Sequence, residues 1–232
     1  MVANGKANIA LLIDADNASP ASLDPVLTVL AELGTVNIRR AYGNWNKPSL
    51  SGWSTILHQF AIEPQQQFDV TKGKNATDMK MTIDAMDLLF GGRVRGFGIM
   101  SSDSDFAPLV MRIRQDGLPV YGFGEAKTPA AFQQACTRFI DVSAIATGVA
   151  SKPAKTPVDK KLIALLSEAL AASKTDAGGF ASLSEVGSIA NNRSSFDARS
   201  YGFSRLSDLL ESLPQFTVER RDGGGVYVKR KT

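Results

Sequence analysis

Between residues 8 and 138, apolar runs of strand length alternate with stretches whose apolar spacing is helical, and this alternation constrains the fold more than any other feature of the chain. NIALLI (8–13) precedes a helical pattern near 20–33. VNIRRAYG (36–43) precedes another near 48–61, and IEPQQQFD (62–69) a third over 76–90. GFGIMS (96–101) is followed by a helix near 105–116, and LPVYGFG (118–124) by a last one near 128–138. Parallel strands need crossover connections, and helices at this spacing supply them. The expected architecture is α/β, a three-layer sandwich around a mainly parallel sheet. In such sheets ligands bind beyond the carboxyl ends of the strands, so the residues directly after each apolar run are the ones to inspect.

Around 147–159 the pattern stops: TGVASKPAKTPVD has two prolines, small residues and no apolar period, the composition of a linker. This gives an α/β domain over 1–148, a linker over 149–158 and a second domain over 159–232. In the latter, DKKLIALLSEALAAS reads as a helix, with Leu162, Leu165, Leu166 and Leu170 on one face. Ser182 and Glu185 stand at capping-box spacing, and SRLSDLLESLPQF ends its helix at Pro214. FTVERRDGGGVYVKRK is two alternating runs about a glycine turn, a β-hairpin. Helices followed by a hairpin describe a small winged-helix module. Charge separates the halves: residues 1–150 hold 13 Lys+Arg and 14 Asp+Glu, whereas 151–232 hold 13 and 9. The basic excess lies in the tail.

Two strand ends deliver aspartates. NIALLI runs into Asp14-Ala15-Asp16-Asn17, and GFGIMS into Ser102-Asp103-Ser104-Asp105, while Asp78 stands at the start of KNATDMKMTIDAMDLL. If the two strands are neighbours, Asp14 and Asp103 project into one crevice. Gathered carboxylates raise one another's pKa unless a cation neutralises them, and Mg²⁺ or Mn²⁺ suits oxygen ligands with retained water. Such an ion activates water and stabilises charge on phosphate, so phosphodiester hydrolysis fits the inventory. A carboxylate placed directly after a buried strand is costly unless paired or metal-bound, which favours function for Asp14 and Asp103. Other aspartates carry structural alternatives. Asp16 and Asp105 also suit helix N-caps, Asp78 suits a helix dipole, and Asp84 and Asp87 read as the polar face of their helix.

The chain has one cysteine, Cys136, and one histidine, His58. An intramolecular disulfide and a thiolate zinc site are therefore excluded, as are histidine-rich metal centres. His58 falls in the helical pattern STILHQF without an acidic neighbour and is read as structural. No apolar run approaches the length of a membrane span, and MVANGKANIALLIDADN lacks a signal-peptide layout, so a cytoplasmic location is expected.

The succession LLIDADN, KGKNATDMKMTIDAMDLL and GIMSSDSDFAPLV resembles the NYN domain, a PIN-like ribonuclease group that includes the bacterial LabA-like proteins, across about residues 7–142. The resemblance implies a PIN-like Rossmannoid sheet and a metal-dependent ribonuclease with Asp14, Asp78, Asp103 and Asp105 as the acidic metal shell. Asn17 would organise the first loop and Ser101 the last, and Lys74 and Asn75 would stand where a phosphate arrives. Asp16 departs from the simplest family pattern. The tail, with Tyr201-Gly202-Phe203, the SRLSDLLE helix and the hairpin, is similar to OST-HTH, or LOTUS, domains over about 158–231. That likeness implies RNA binding, including guanine-rich RNA, and in some lineages protein partners or self-association through this domain.

Trp45, in the polar stretch GNWNKPS, is a candidate for stacking on bases, with Tyr42 a weaker one, while Trp53 reads as core. Arg39 and Arg40 either line the mouth of the site or flank a strand. Arg220, Arg221, Lys229, Arg230 and Lys231 fall on or beside the hairpin, where they would meet RNA phosphates or, alternatively, solubilise a wing that binds protein. Two other function classes fit less well. One is a non-cleaving RNA-binding adaptor, although no expected acidic position is replaced. The other is a haloacid-dehalogenase-type phosphatase with Asp14 as nucleophile, although the hydroxyl residue expected two places after Asp16 is missing.

Overall fold

The computed structural model describes residues 6–68, 75–146 and 160–231. The chain divides into two compact units, Met1–Ala146 and Thr147–Thr232. The proposed linker, 149–158, and Lys74 lie outside the described residues.

In the first unit the strands are β1 (Asn8–Asp14), β2 (Thr35–Gly43), β3 (Glu63–Gln66), β4 (Gly96–Met100), β5 (Val120–Gly124) and β6 (Arg138–Asp141). The helices between them are α1 (Leu23–Leu33), α2 (Ser51–Ile56), α3 (Ala76–Phe90), α4 (Ala107–Gln115) and α5 (Ala130–Ala135), and α6 (Val142–Ala146) closes the unit. All neighbouring strands pair parallel, in the order β3-β2-β1-β4-β5-β6. β1 therefore has β2 on one side and β4 on the other, and the winding reverses between β1 and β4. Ligands of doubly wound sheets bind at such a reversal.

Alternation along each buried strand feeds two cores. Ile9, Leu11 and Ile13 of β1 pack with Leu23, Val26 and Leu30 of α1 and with Trp53. Ala10 and Leu12 pack instead with Met81, Ala85 and Leu88 of α3, with Ile99, and with Val110 and Ile113 of α4. Both faces of the central strands are covered, which is why these strands read as unbroken apolar runs. At about 1.5–3 kcal/mol for each fully buried Leu, Ile or Phe, the two layers contribute the bulk of the favourable folding free energy.

One element departs from expectation. The helical pattern near 128–138 ends at Ala135, and Arg138–Asp141 forms a sixth strand on the sheet edge. Only Phe139 and Ile140 of that strand are buried, too short an apolar run to announce it.

The second unit contains α7 (Lys160–Ala171), β7 (Ala181–Ser182), α8 (Leu183–Arg193), α9 (Leu206–Glu211), β8 (Phe216–Arg220) and β9 (Val226–Arg230). β9 lies between β7 and β8 in a small antiparallel sheet. Leu162, Leu166 and Leu170 of α7 meet Val186 and Ala190 of α8, Leu209 of α9 and Val228 of β9 in one core. This is a winged-helix arrangement, with the β8–β9 hairpin as the wing. The capping box does not form: Ser182 occupies the N-cap without a side-chain bond, and Glu185 accepts from the Lys174 backbone N–H at 3.1 Å.

Candidate active site

Asp14 is the last residue of β1 and has no solvent exposure. Strand alternation sets it on the same side as Ala10 and Leu12, the side covered by α3. Ile13 pairs with Met100, so the next residues, Asp14 and Ser101, leave adjacent strand ends side by side at the reversal point. Ser101 Oγ donates to Asp14 Oδ2 at 2.7 Å, and Asn17 Nδ2 donates to the same oxygen at 2.9 Å. Asp14 Oδ1 is buried with no hydrogen-bond partner. Burial pushes the Asp14 carboxyl above the usual range, against the lowering effect of the Ser101 and Asn17 bonds, and Asp16 raises it further. A buried carboxylate oxygen without a donor is costly, and a cation is the partner its charge calls for.

Ser101 also organises the second acidic loop, since its Oγ accepts from the Asp103 backbone N–H at 3.0 Å. The Asp103 side chain then accepts from the Asp105 backbone N–H at 2.9 Å and caps a single helical turn over Ser104–Phe106. Asp103, rather than Asp105, is thus the capping residue here. Asp105 Oδ2 accepts from Asn75 Nδ2 at 2.9 Å, joining this loop to the residue before α3. Asp16 does not cap a helix either, and pairs with Lys47 Nζ at 3.3 Å.

Asp78, in the first turn of α3, completes the group. Its carboxyl is pushed up to about 6, by burial first and then by the negative charges of Asp14, Asp103, Asp105 and Asp16 in that order. The fold thus brings together Asp14, Asp78, Asp103 and Asp105, with Asn17, Asn75 and Ser101 beside them. Among the described residues, no three acidic, histidine or cysteine side chains lie close enough to hold one ion directly. The all-oxygen donor set and the unpartnered Asp14 Oδ1 fit a hard divalent ion that keeps part of its water shell, as Mg²⁺ does when one or two carboxylates hold it.

Other sequence candidates have structural work. Tyr42 is buried, and its hydroxyl donates to Asp84 Oδ2 at 3.2 Å, so its ring is no stacking platform. Asp84 is not on a polar face: it is buried between Tyr42, Lys80 Nζ at 2.6 Å and Arg40 at 3.4 Å, and Arg40 also reaches Glu63. Periodicity missed it because two of its partners, Arg40 and Tyr42, come from β2. Arg39 donates to the carbonyls of Val36 and Phe60. Trp45 is partly buried against the core, its indole N–H bound to the Gln65 carbonyl at 3.1 Å, which leaves part of the ring available. Trp53 is core, and His58 is exposed in the turn after α2.

On the wing, the predicted phosphate contacts divide. Arg220 pairs with Glu211 at 2.9 Å and Asp208 at 3.8 Å. Arg221 pairs with Asp176 at 2.6 Å and Glu219 at 2.7 Å, and lies 4.1 Å from the Tyr227 ring centre and 5.3 Å from that of Phe180. Lys229 sits over the other aromatic contact, 4.4 Å from the Phe180 ring centre. Arg230 and Lys231 are exposed, and neither has an ion-pair partner among the described residues.

Family comparison matches the NYN domain over residues 8–146 and the OST-HTH/LOTUS domain over residues 155–228. An uncharacterized protein of Methanocaldococcus jannaschii is 27% identical over 130 residues, covering 52% of this chain and 48% of the relative. The chain therefore spans about half the length of the curated relative it matches. A crystal structure of a protein of unknown function from Vibrio parahaemolyticus superposes with a TM-score of 0.51 at 21% identity, covering 61% of this chain and 96% of that one. That likeness supports the α/β fold alone. Among the described residues no helix is long and apolar enough to cross a membrane.

Proposed function

Because the chain belongs to the NYN family and carries an OST-HTH/LOTUS domain after it, we propose that it is a metal-dependent endoribonuclease whose second unit holds RNA. A NYN domain, of the PIN-like nuclease superfamily, joined to an RNA-binding OST-HTH/LOTUS domain supports a nuclease and RNA-binding role. The observation that carries the finer reading is the buried Asp14 with its unpartnered Oδ1, set among the charges that raise Asp78.

Asp14, Asp78, Asp103 and Asp105 are the residues that would hold the ion, directly or through its retained water. When bound, Mg²⁺ or Mn²⁺ supplies an activated water and charge stabilisation at the phosphate. Ser101 and Asn17 fix the Asp14 carboxylate by their two hydrogen bonds, so that its free oxygen is aimed before any ligand arrives. Asn75 keeps the Asp105 loop against the start of α3. Asn75, bonded to Asp105, then stands where an RNA backbone would cross the acidic group, and the exposed part of Trp45 offers a base a stacking surface. Two tethered sites on one chain raise the local RNA concentration at the cleavage centre.

The test is cleavage of mixed single-stranded and structured RNA with Mn²⁺ or Mg²⁺, for the natural chain, Asp14→Asn and Asp103→Asn. Both variants are expected to fold and to lose at least a hundredfold in rate. Isothermal titration with Mn²⁺ gives a readout independent of turnover: the natural chain binds, and Asp14→Asn binds at least tenfold more weakly. Undiminished cleavage in excess EDTA, or natural rates in either variant, would refute the metal-nuclease reading. Metal and RNA binding without any cleavage would identify a non-cutting adaptor.

A further inference from the structure

Helix α3 is apolar on two opposite sides. Thr77, Met81, Ala85 and Leu88 face the sheet, as their burial shows. On the far side, Met79 is 62% exposed, Ile83 51% and Phe90 68%, and Met86 is partly buried between them in the spacing. At 100° per residue these four fall within about 60° of one another on the helix wheel, a continuous outward stripe roughly 17 Å long.

We propose that this stripe is the two-fold contact between two copies of the chain, with the α3 helices antiparallel. Charge carries the choice of a second copy as occupant. Lys80 and Asp87 lie on one flank of the stripe, seven residues and two turns apart. Reversing the second helix brings Lys80 within one turn of Asp87 of the second copy, and the reverse pair forms at the other end by symmetry. In the single chain Lys80 donates to Asp84 at 2.6 Å, and its ammonium keeps further N–H donors to share with a second carboxylate, while Asp87 has no ion-pair partner among the described residues. Along the stripe the same axis sets Met79 against the second copy's Phe90, and Ile83 against its Met86, bulky residue to bulky residue.

Area agrees. Met79, Ile83 and Phe90 expose on the order of 400 Å² per copy, so pairing them with Met86 and the flanks brings the buried total to the roughly 1,000 Å² that a specific interface needs. An apolar patch of about that size is comparable to the largest that a typical monomer exposes, and such patches are often functional. At one end of the stripe Arg112 lies 5.5 Å from the Phe90 ring centre and is itself tied to Asp116 at 2.6 Å, so Phe90 has less freedom to lose on association. Since Met79 adjoins Asp78, dimerisation would set the second copy's Phe90 beside the mouth of the acidic site.

Sedimentation velocity of the full chain between 1 and 100 µM tests this. The natural chain is expected to be dimeric at the upper end, Phe90→Glu to raise the dissociation constant at least tenfold, and Asp87→Lys, which sets like charges together, to raise it severalfold. These positions are on the surface, and circular dichroism verifies that the variants fold. Ile83→Cys should form a disulfide-linked dimer under mild oxidation while Thr55→Cys, exposed on α2, does not; the native Cys136 is buried. A chain that is monomeric at 100 µM, or a dimer indifferent to Phe90→Glu and Asp87→Lys, would overturn the proposal. A dimer cross-linked as readily through Thr55→Cys would do so as well.

Discussion

Replacing Asp78 by Asn should stabilise the protein in EDTA at neutral pH, the opposite of what removing an acidic side chain from a helix N-terminus ordinarily does. Asp78 makes no hydrogen bond or ion pair among the described residues, while burial and four neighbouring carboxylates raise its pKa from 3.8 to about 6. The folded chain therefore holds this proton more tightly than the unfolded one. Between those two values the folded state binds more protons, so stability falls as pH rises from about 4 through 6 and the full penalty is present above that. That rise corresponds to about 3 kcal/mol without screening. Asp78 is partly open to solvent, and screening reduces this to about 1–2 kcal/mol. For a unit of this size that is about 2–6 °C in midpoint. Thermal melts at pH 5 and pH 7.5 in EDTA should show the natural chain losing stability with pH through this group and Asp78→Asn losing less. Mn²⁺ should reverse the order, stabilising the natural chain strongly and the variant weakly. If Asp78→Asn is less stable than the natural chain at pH 7.5 in EDTA, the carboxylates do not repel one another as placed, and the electrostatic account of the site fails.

Asp84→Ala should cost about 3–5 kcal/mol, measured by urea unfolding, because it leaves the Tyr42 hydroxyl and two cations without their buried partner. A change below 1 kcal/mol would return Asp84 to the helix surface. On the wing, Arg221→Ala should lower the melting temperature more than Arg230→Ala, since it removes two ion pairs and two aromatic contacts. Arg230→Ala should instead reduce the salt slope of RNA binding, read by fluorescence anisotropy, by about 0.7 for one phosphate contact. Equal effects of both variants on melting would contradict this division.

The acidic site was legible because its logic is one-dimensional. Asp14 follows five buried residues of β1, Ser101 follows five of β4, and a parallel sheet delivers the residues after such runs to one edge. What the alternation left open was whether β1 and β4 are neighbours, and the strand order supplies that link. Where the sequence misled, the deciding contacts come from distant segments. Asp84 has polar neighbours along its helix, yet Arg40 and Tyr42 of β2 reach over it and make a buried position tolerable for charge. Ser182 and Glu185 have the spacing of a capping box, but the Lys174 amide competes for the carboxylate.

The basic wing shows the same limit in electrostatic form. A net charge counts Arg220 and Arg221 as free to meet phosphate, whereas carboxylates of Glu211, Asp208, Asp176 and Glu219 already neutralise them in the fold. An RNA phosphate would have to displace an ion pair that already exists, so the net gain is the difference between two charge contacts rather than the whole of one. Arg230 and Lys231 surrender nothing comparable among the described residues, so the RNA-facing part of this unit is better sought at the end of β9 than at its turn. The acidic site works by the opposite rule. There the fold leaves like charges unneutralised, and on the proposed reading a cation that relieved their repulsion would gain that free energy as affinity.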